Sequence, residues 1–145
     1  MEIRPMTEKD AHAIQAWTYE PPYDFYNQVA SAEGINELMT YCAVHNQGLY
    51  GFFCLGTYAQ VPNATYDYSG TYVDIGLGMH PARTGQGRGR AFVETVMREA
   101  EREGRPLRLT VAVFNRRAIY LYGQLGFQQV ASFEKGTTRF IVMVK

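Results

Sequence analysis

Between Thr71 and Glu103 the chain changes its period across a glycine-rich junction, and that junction constrains the fold more than any other feature of the sequence. Up to Met79 the apolar residues Val73, Ile75, Leu77 and Met79 alternate with Tyr72, Asp74, Gly76 and Gly78, the period-two pattern of a strand with two distinct faces. Beyond it, Phe92, Val93, Val96, Met97 and Ala100 form the apolar stripe of a helix of about 15 residues. Between the two lie His80-Pro81 and then Thr84-Gly85-Gln86-Gly87-Arg88-Gly89. Glycines let successive backbone N–H groups turn toward one anion, and the helix adds the positive end of its dipole. Arg83, Arg88 and Arg90 add full charges, so the junction predicts a phosphate or pyrophosphate site. Gly76 and Gly78, on one face of the strand, predict a close approach to its backbone.

Around this junction residues 1–145 read as one domain. Apolar residues make up 46% and charged residues 19%, a globular balance rather than a disordered one. No apolar run approaches the roughly 18 residues needed to cross a bilayer, so no membrane partner is expected. The start Met1-Glu2-Ile3-Arg4 lacks the pattern of a signal peptide, and two cysteines are too few for a disulfide framework, so the expected location is cytoplasmic. Met1–Pro5 reads as a strand, and Thr7 as the N-cap of a helix carrying Ala11, Ile14 and Trp17 or Thr18, stopped by Pro21-Pro22. A short helix is expected around Ile35–Thr40, then strands at Tyr41–His45 and Leu49–Thr57 joined by Asn46-Gln47-Gly48, then a polar loop over 59–70. Leu107–Val113 reads as a strand and Arg116–Leu125 as a helix with Ala118, Leu121, Tyr122 and Leu125 on one stripe. Strands near Gln128–Phe133 and Thr138–Val144 close the chain. The fold class is α/β in the α+β sense, a mixed, mostly antiparallel sheet of about seven strands with about four helices.

The formal charge balances to zero but is unevenly laid out. Residues 1–82 hold two basic residues, Arg4 and Lys9, against nine acidic ones, whereas residues 83–117 hold nine arginines against four glutamates. This suggests an anionic ligand for the middle segment and a cationic one for the first half. The arginines of 98–108 read as a solvated helix face. A nucleic-acid surface would need a continuous basic face with exposed aromatics, and the pI of about 6.8 and the glutamates of 94–103 oppose it. The loop lacks the lysine of a nucleotide-triphosphate loop, and its Gly-x-Gly-x-Gly spacing past mid-chain does not fit a dinucleotide fingerprint. His12, His45 and His80 are scattered without metal-site spacing, so no metal is expected. Cys42 pairs opposite Phe53, on the face away from Cys54, which argues against a disulfide.

A second motif follows, Asn115-Arg116-Arg117-Ala118-Ile119-Tyr120-Leu121-Tyr122-Gly123-Gln124-Leu125-Gly126-Phe127, of the form Asn-x-x-Ala-x-x-x-Tyr-x-x-x-Gly-Phe. With the glycine loop and the element order, it makes nearly the whole chain resemble the GNAT superfamily of acyl-CoA-dependent N-acyltransferases. The resemblance implies an N-acetyltransferase that moves acetyl from acetyl-CoA directly to a primary amine of a small molecule, peptide or protein. In that reading the amides of Gln86, Gly87, Arg88 and Gly89 hold the CoA pyrophosphate, with Thr84, Gly85 and Arg90 beside them. Leu77 and Met79 pair with the pantetheine arm and acetyl carbonyl, Asn115 and Ala118 serve the pantetheine end, and Tyr122 sits near the sulfur. The family's loop usually opens with Gln or Arg where this chain has Thr84, and Arg83 stands one place early.

Asp74, on the glycine face of the strand, is the candidate general base, with Glu33 and Asp24 as weaker candidates and a plain strand carboxylate as the alternative. Trp17, Tyr23 and Tyr26 lie in the N-terminal segments where the family builds its acceptor site. Aromatics with carboxylates suit an amine, though such a cluster also reads as core. The rival reading is a non-catalytic acyl-CoA-binding or sensor module of the same fold, which the presence of both Asn115 and Tyr122 opposes. The sequence admits a homodimer and leaves the acceptor open.

Overall fold

The computed structural model describes every residue except Gln86. Among the described residues there are seven strands: β1 (Glu2–Pro5), β2 (Cys42–His45), β3 (Leu49–Leu55), β4 (Val73–Met79), β5 (Leu107–Ala112), β6 (Gln128–Lys135) and β7 (Thr138–Val144). Four α-helices accompany them: α1 (Glu8–Gln15), α2 (Ala32–Leu38), α3 (Gly89–Glu101) and α4 (Arg116–Gln124). The strand order is β1-β2-β3-β4-β5-β7-β6. The pairs β1–β2, β2–β3, β5–β7 and β6–β7 are antiparallel, and β4–β5 is parallel, so the mixed, mostly antiparallel α/β expectation holds.

Local chemistry sets the boundaries. Thr7 Oγ1 accepts from the Asp10 N–H at 3.1 Å and opens α1. Ser31 Oγ does the same for the Gly34 N–H at 3.0 Å, so α2 begins at Ala32, earlier than apolar spacing alone predicts. Trp17 lies past the end of α1, where its backbone N–H still bonds the Ile14 carbonyl at 3.1 Å. The β2–β3 turn uses positive φ at Gln47 (55°) and Gly48 (98°), and the register slips between Val44 and His45. Cys42 nonetheless faces Phe53, as expected.

The chain folds as two compact units. The first comprises Met1–Cys54 and Leu77–Phe92. Its core is Met6, Ala11, Ile14, Trp17, Leu38 and Ala43, with Tyr19, Tyr41 and Phe52 packed against it. The second comprises Leu55–Gly76 and Val93–Lys145. There Ala112, Phe133, Phe140 and Val142 form a cluster covered by Tyr66 and Tyr68, and Val93, Val96, Met97 and Ala100 form the buried stripe of α3. The parallel register runs through Val73–Leu107, Asp74–Arg108 and Ile75–Leu109, and β4 continues beyond it as Gly76–Met79. No helix among the described residues is long and apolar enough to cross a membrane.

Candidate active site

In the first unit, the end of β4 is where backbone and ring come closest. A side-chain carbon on Gly78 would lie 2.4 Å from Phe52 Cε1 and Cζ, so at Gly78 the close approach is made by that ring. A carbon on Gly51 would lie 2.6 Å from the Gly78 carbonyl oxygen and 2.6 Å from Phe92 Cζ. The two glycines therefore let β3 and the end of β4 lie flat against aromatic neighbours. Tyr19 donates its hydroxyl to the Met79 carbonyl at 2.7 Å. Burial pushes that phenol well above its ordinary range, so it stays a neutral donor at physiological pH.

His80 ends the strand. Its Nδ1 accepts from the Ala82 N–H at 3.0 Å, capping the 3-10 turn Pro81–Arg83, and its ring lies 5.0 Å from that of Trp17. Arg83 donates to the Asn46 and Gln47 carbonyls at 3.2 and 2.8 Å and lies over the Tyr50 ring, so its guanidinium is committed to the β2–β3 turn. The Thr84 hydroxyl closes the 3-10 turn on the Pro81 carbonyl at 2.8 Å. Tyr50 donates to the Arg88 carbonyl at 3.0 Å and steadies the loop from below. Gly85 and Gly87 both adopt φ of 74°, and a side-chain carbon on Gly87 would meet nothing within 4 Å. Left-handed glycines let backbone N–H groups turn toward one anion, and Gly85 and Gly87 stand just ahead of α3, with the Arg88 N–H on the Gly85 carbonyl at 3.2 Å. Arg88 and Arg90 are exposed there, while Gln86 lies outside the described residues. The open side at Gly87, the helix N-terminus and the exposed Arg88 and Arg90 fit a pyrophosphate.

In the second unit, Asn115 Oδ1 accepts from the Ala118 N–H at 3.3 Å and caps α4, which explains the Asn-x-x-Ala spacing. Tyr122 is buried, 7% exposed, and meets Phe127 edge to face at 6.0 Å. Gly126, at φ 101°, turns the chain back so that the Phe127 N–H reaches the Tyr122 carbonyl at 3.0 Å. The Tyr-x-x-x-Gly-Phe pattern is thus a helix C-terminus closing on its own aromatic residue.

Asp74 is equally buried and fully engaged. Arg108, 1% exposed, donates Nε to Oδ1 at 2.6 Å and Nη2 to Oδ2 at 2.9 Å, and Gln60 adds Nε2 to Oδ2 at 2.9 Å. The same guanidinium donates to the Ser69 carbonyl at 2.8 Å and the Tyr68 carbonyl at 3.0 Å, and lies 4.7 Å from the centre of the Tyr72 ring. Asp74 holds the Arg108 guanidinium further above its already high pKa. This corrects the reading of residues 98–108 as uniformly solvated: Arg108 is a core residue of β5. It also shows that the loop over 59–70 packs its tyrosines inward.

Of the acceptor-side candidates, Trp17 belongs to the core, Tyr23 is half-buried, and Tyr26 is 37% exposed on the 3-10 turn Tyr23–Tyr26. Among the described residues no group of His, Cys, Asp or Glu is arranged to hold a metal ion. Sequence reasoning missed Phe52, Tyr50 and Tyr19 as partners of β4 and the loop. Their only signal was membership of the alternating strand and aromatic segments.

Comparison with known proteins gives the same class. The acetyltransferase (GNAT) family model matches residues 5–127, and the chain belongs to that family. No curated protein matches the sequence. Solved structures do. A ribosomal-protein-alanine N-acetyltransferase from Brucella melitensis is 17% identical with a TM-score of 0.71, over 100% of this chain and 99% of that one. A chimeric spermidine N-acetyltransferase from Vibrio cholerae and hSSAT is 18% identical with a TM-score of 0.71, over 99% and 93%. A Salmonella typhimurium protein assigned as an acetyltransferase, solved with its cofactor acetyl-CoA, is 21% identical with a TM-score of 0.63, over 99% and 92%. At these identities the likeness is one of fold.

Proposed function

We propose that residues 1–145 act as one catalytic domain, a cytoplasmic N-acetyltransferase that passes acetyl from acetyl-CoA directly to an amine of a small molecule or peptide. The observation that carries this is the pair of left-handed glycines, Gly85 and Gly87, opening into α3 straight after β4. Acetyl-CoA, when bound, supplies the activated thioester. The amides of Gly87, Arg88 and Gly89 hold its pyrophosphate, with the charges of Arg88 and Arg90 alongside and Thr84 shaping the turn; Gln86 belongs to the same run. Leu77 and Met79 offer backbone groups to the pantetheine arm, and their N–H groups polarise the acetyl carbonyl. Asn115 and Ala118, at the start of α4, serve the far end of that arm.

The amine nitrogen forms the new bond to the acetyl carbon as the carbon–sulfur bond breaks, and CoA leaves as the thiolate, which takes from water a proton equivalent to the one the amine gives up. Tyr122 gives a hydrogen bond to the departing sulfur. A phenol near pKa 10 and a thiol near 8.5 do not favour full proton transfer, so its contribution lies at or below the ~10² to 10⁴ of a general acid. The amine's proton passes to water. Asp74, with both oxygens on Arg108, acts by anchoring β4 and not as the base. On the acceptor side Tyr23 and Tyr26 contact the amine's carrier, and Trp17 supports His80 from the core.

Calorimetric titration with acetyl-CoA, with ATP as comparison, tests this reading. Saturable binding near one per chain with ATP inert is expected. Tyr122→Phe should then lower turnover more than acetyl-CoA affinity, and equal loss of both would remove Tyr122 from the sulfur.

A further inference from the structure

The acidic first half of the chain is not used on the donor side, yet the first unit gathers part of it into a pocket of about 390 Å³. Glu33, Glu37, Tyr41 and Phe52 line it together with Ser31 and Gly34. The Ser31–Gly34 segment is fixed. Gln15, 8% exposed, donates to the Ser31 carbonyl at 3.2 Å and accepts from the Ser31 N–H at 3.3 Å, and a side-chain carbon on Gly34 would collide with the Gln15 amide. That locks the start of α2, whose next turns place Glu33 and Glu37 four residues apart on one side.

The rest of the lining includes two aromatic rings. Tyr41 and Phe52 stack with centres 6.1 Å apart and planes 21° apart. The Tyr41 hydroxyl donates to Glu37 Oε2, and burial, then that carboxylate, push the phenol above its ordinary range. The phenol therefore stays a neutral donor and orients the Glu37 carboxyl group. Residues 1–82 contain two lysine or arginine side chains, Arg4 and Lys9, and Arg4 pairs with Glu2. Among the described residues neither Glu33 nor Glu37 has a cationic partner in an ion pair. Phe52 joins this pocket to the chemistry, because the same ring covers Gly78 at the end of β4.

We propose that this pocket seats a second, non-reacting ammonium of the acceptor, so that the acceptor is a diamine or polyamine. The inference rests on the acetyl-transfer reading. Two carboxylates beside aromatic rings attract a cation and stabilise its protonated form. A nitrogen held there stays charged and cannot attack a carbonyl. The attacking nitrogen is the other one, carried past Phe52 toward Gly78. The acidic bias of the first half of the sequence thereby acquires a ligand of matching charge.

The test titrates the full chain with 1,4-diaminobutane and 1,5-diaminopentane, against 1-aminobutane and 1-aminopentane, first without acetyl-CoA. Glu33→Gln with Glu37→Gln keeps size and hydrogen bonding at two exposed positions, so the fold is preserved. The diamines should bind more tightly than the monoamines. The double variant should weaken diamine binding about tenfold, each exposed charge pair supplying a factor of up to about five. Glu8→Gln, outside the pocket, should change nothing. In steady-state transfer the double variant should raise KM for the diamines more than it lowers kcat. Equal binding of diamine and monoamine, or a preference that survives the double variant, would overturn the proposal. Diamine binding without acetyl-CoA binding would instead defeat the acetyl-transfer reading and leave the pocket standing.

Discussion

Arg108→Met is the most informative single change to the scaffold, because methionine keeps much of the stem's packing and deletes the charge. The loss can be worked from the contacts. The Asp74 carboxylate would remain buried with the Gln60 amide as its donor, and the Ser69 and Tyr68 carbonyls would each lose a charged partner. Breaking a buried pair by removing one member costs about 3–5 kcal/mol. Changing Asp74→Leu in the same chain removes the orphaned charge. The carbonyls still lack donors at about 1 kcal/mol each, so the double variant should lie only about 2 kcal/mol below the parent. The single variant is therefore expected to be less stable than the double. Urea unfolding followed by far-ultraviolet circular dichroism, extrapolated linearly to water, measures all three. A loss below about 1 kcal/mol for Arg108→Met, the size of an exposed ion pair, would refute the reasoning. So would a double variant weaker than the single.

Gly51→Ala should cost about 1–3 kcal/mol in the same assay, since its new carbon meets the backbone oxygen of Gly78, which cannot rotate away; a neutral substitution would contradict the packing. Gly87→Glu should abolish acetyl-CoA binding by calorimetry through bulk and like charge, while the open space around Gly87 and a strain of about 1–2 kcal/mol at φ 74° leave the chain folded. Unchanged affinity there would sink the loop assignment. Burial, then Arg83, hold the His80 imidazole below its ordinary 6.5. The folded state thus binds fewer protons than the unfolded one between that lowered pKa and 6.5, so this contribution to stability is present above 6.5 and is lost as pH falls through the window. An NMR titration midpoint for His80 at or above 6.5 would contradict it.

The parts legible in the sequence were those governed by neighbours along the chain. The period change at the glycine loop located β4 and α3, and the stripe of Ala118, Leu121, Tyr122 and Leu125 located α4, whereas the cap by Asn115 and the closing turn at Gly126 emerged only in the structure. The start of α2 was misplaced because the apolar stripe weighed more than Ser31, whose capping oxygen opens the helix. Arg108 was misread for a different reason. Locally it continues a run of arginines, and its burial depends on Asp74 and on tyrosines some 40 residues earlier. The alternation of Leu107 and Leu109 around it was the one available hint. Arg83 looked like a phosphate ligand beside the loop, but carbonyls of a turn 36 and 37 residues away claim it. Pairings at such separations follow from strand order, which local pattern does not reveal.

The contact of Trp17 with His80 and Phe52 has an optical consequence. It is the chain's single tryptophan, so all indole emission comes from the first unit, at a point touching both the histidine that ends β4 and the ring that walls the acidic pocket. An imidazolium quenches indole more strongly than a neutral ring. Acidification through the His80 transition should therefore dim the emission, and a ligand that shifts Phe52 should change it without a label. Ellipticity reads both units while fluorescence reads one, so a denaturation followed by both signals separates the two halves of the molecule with no added probe.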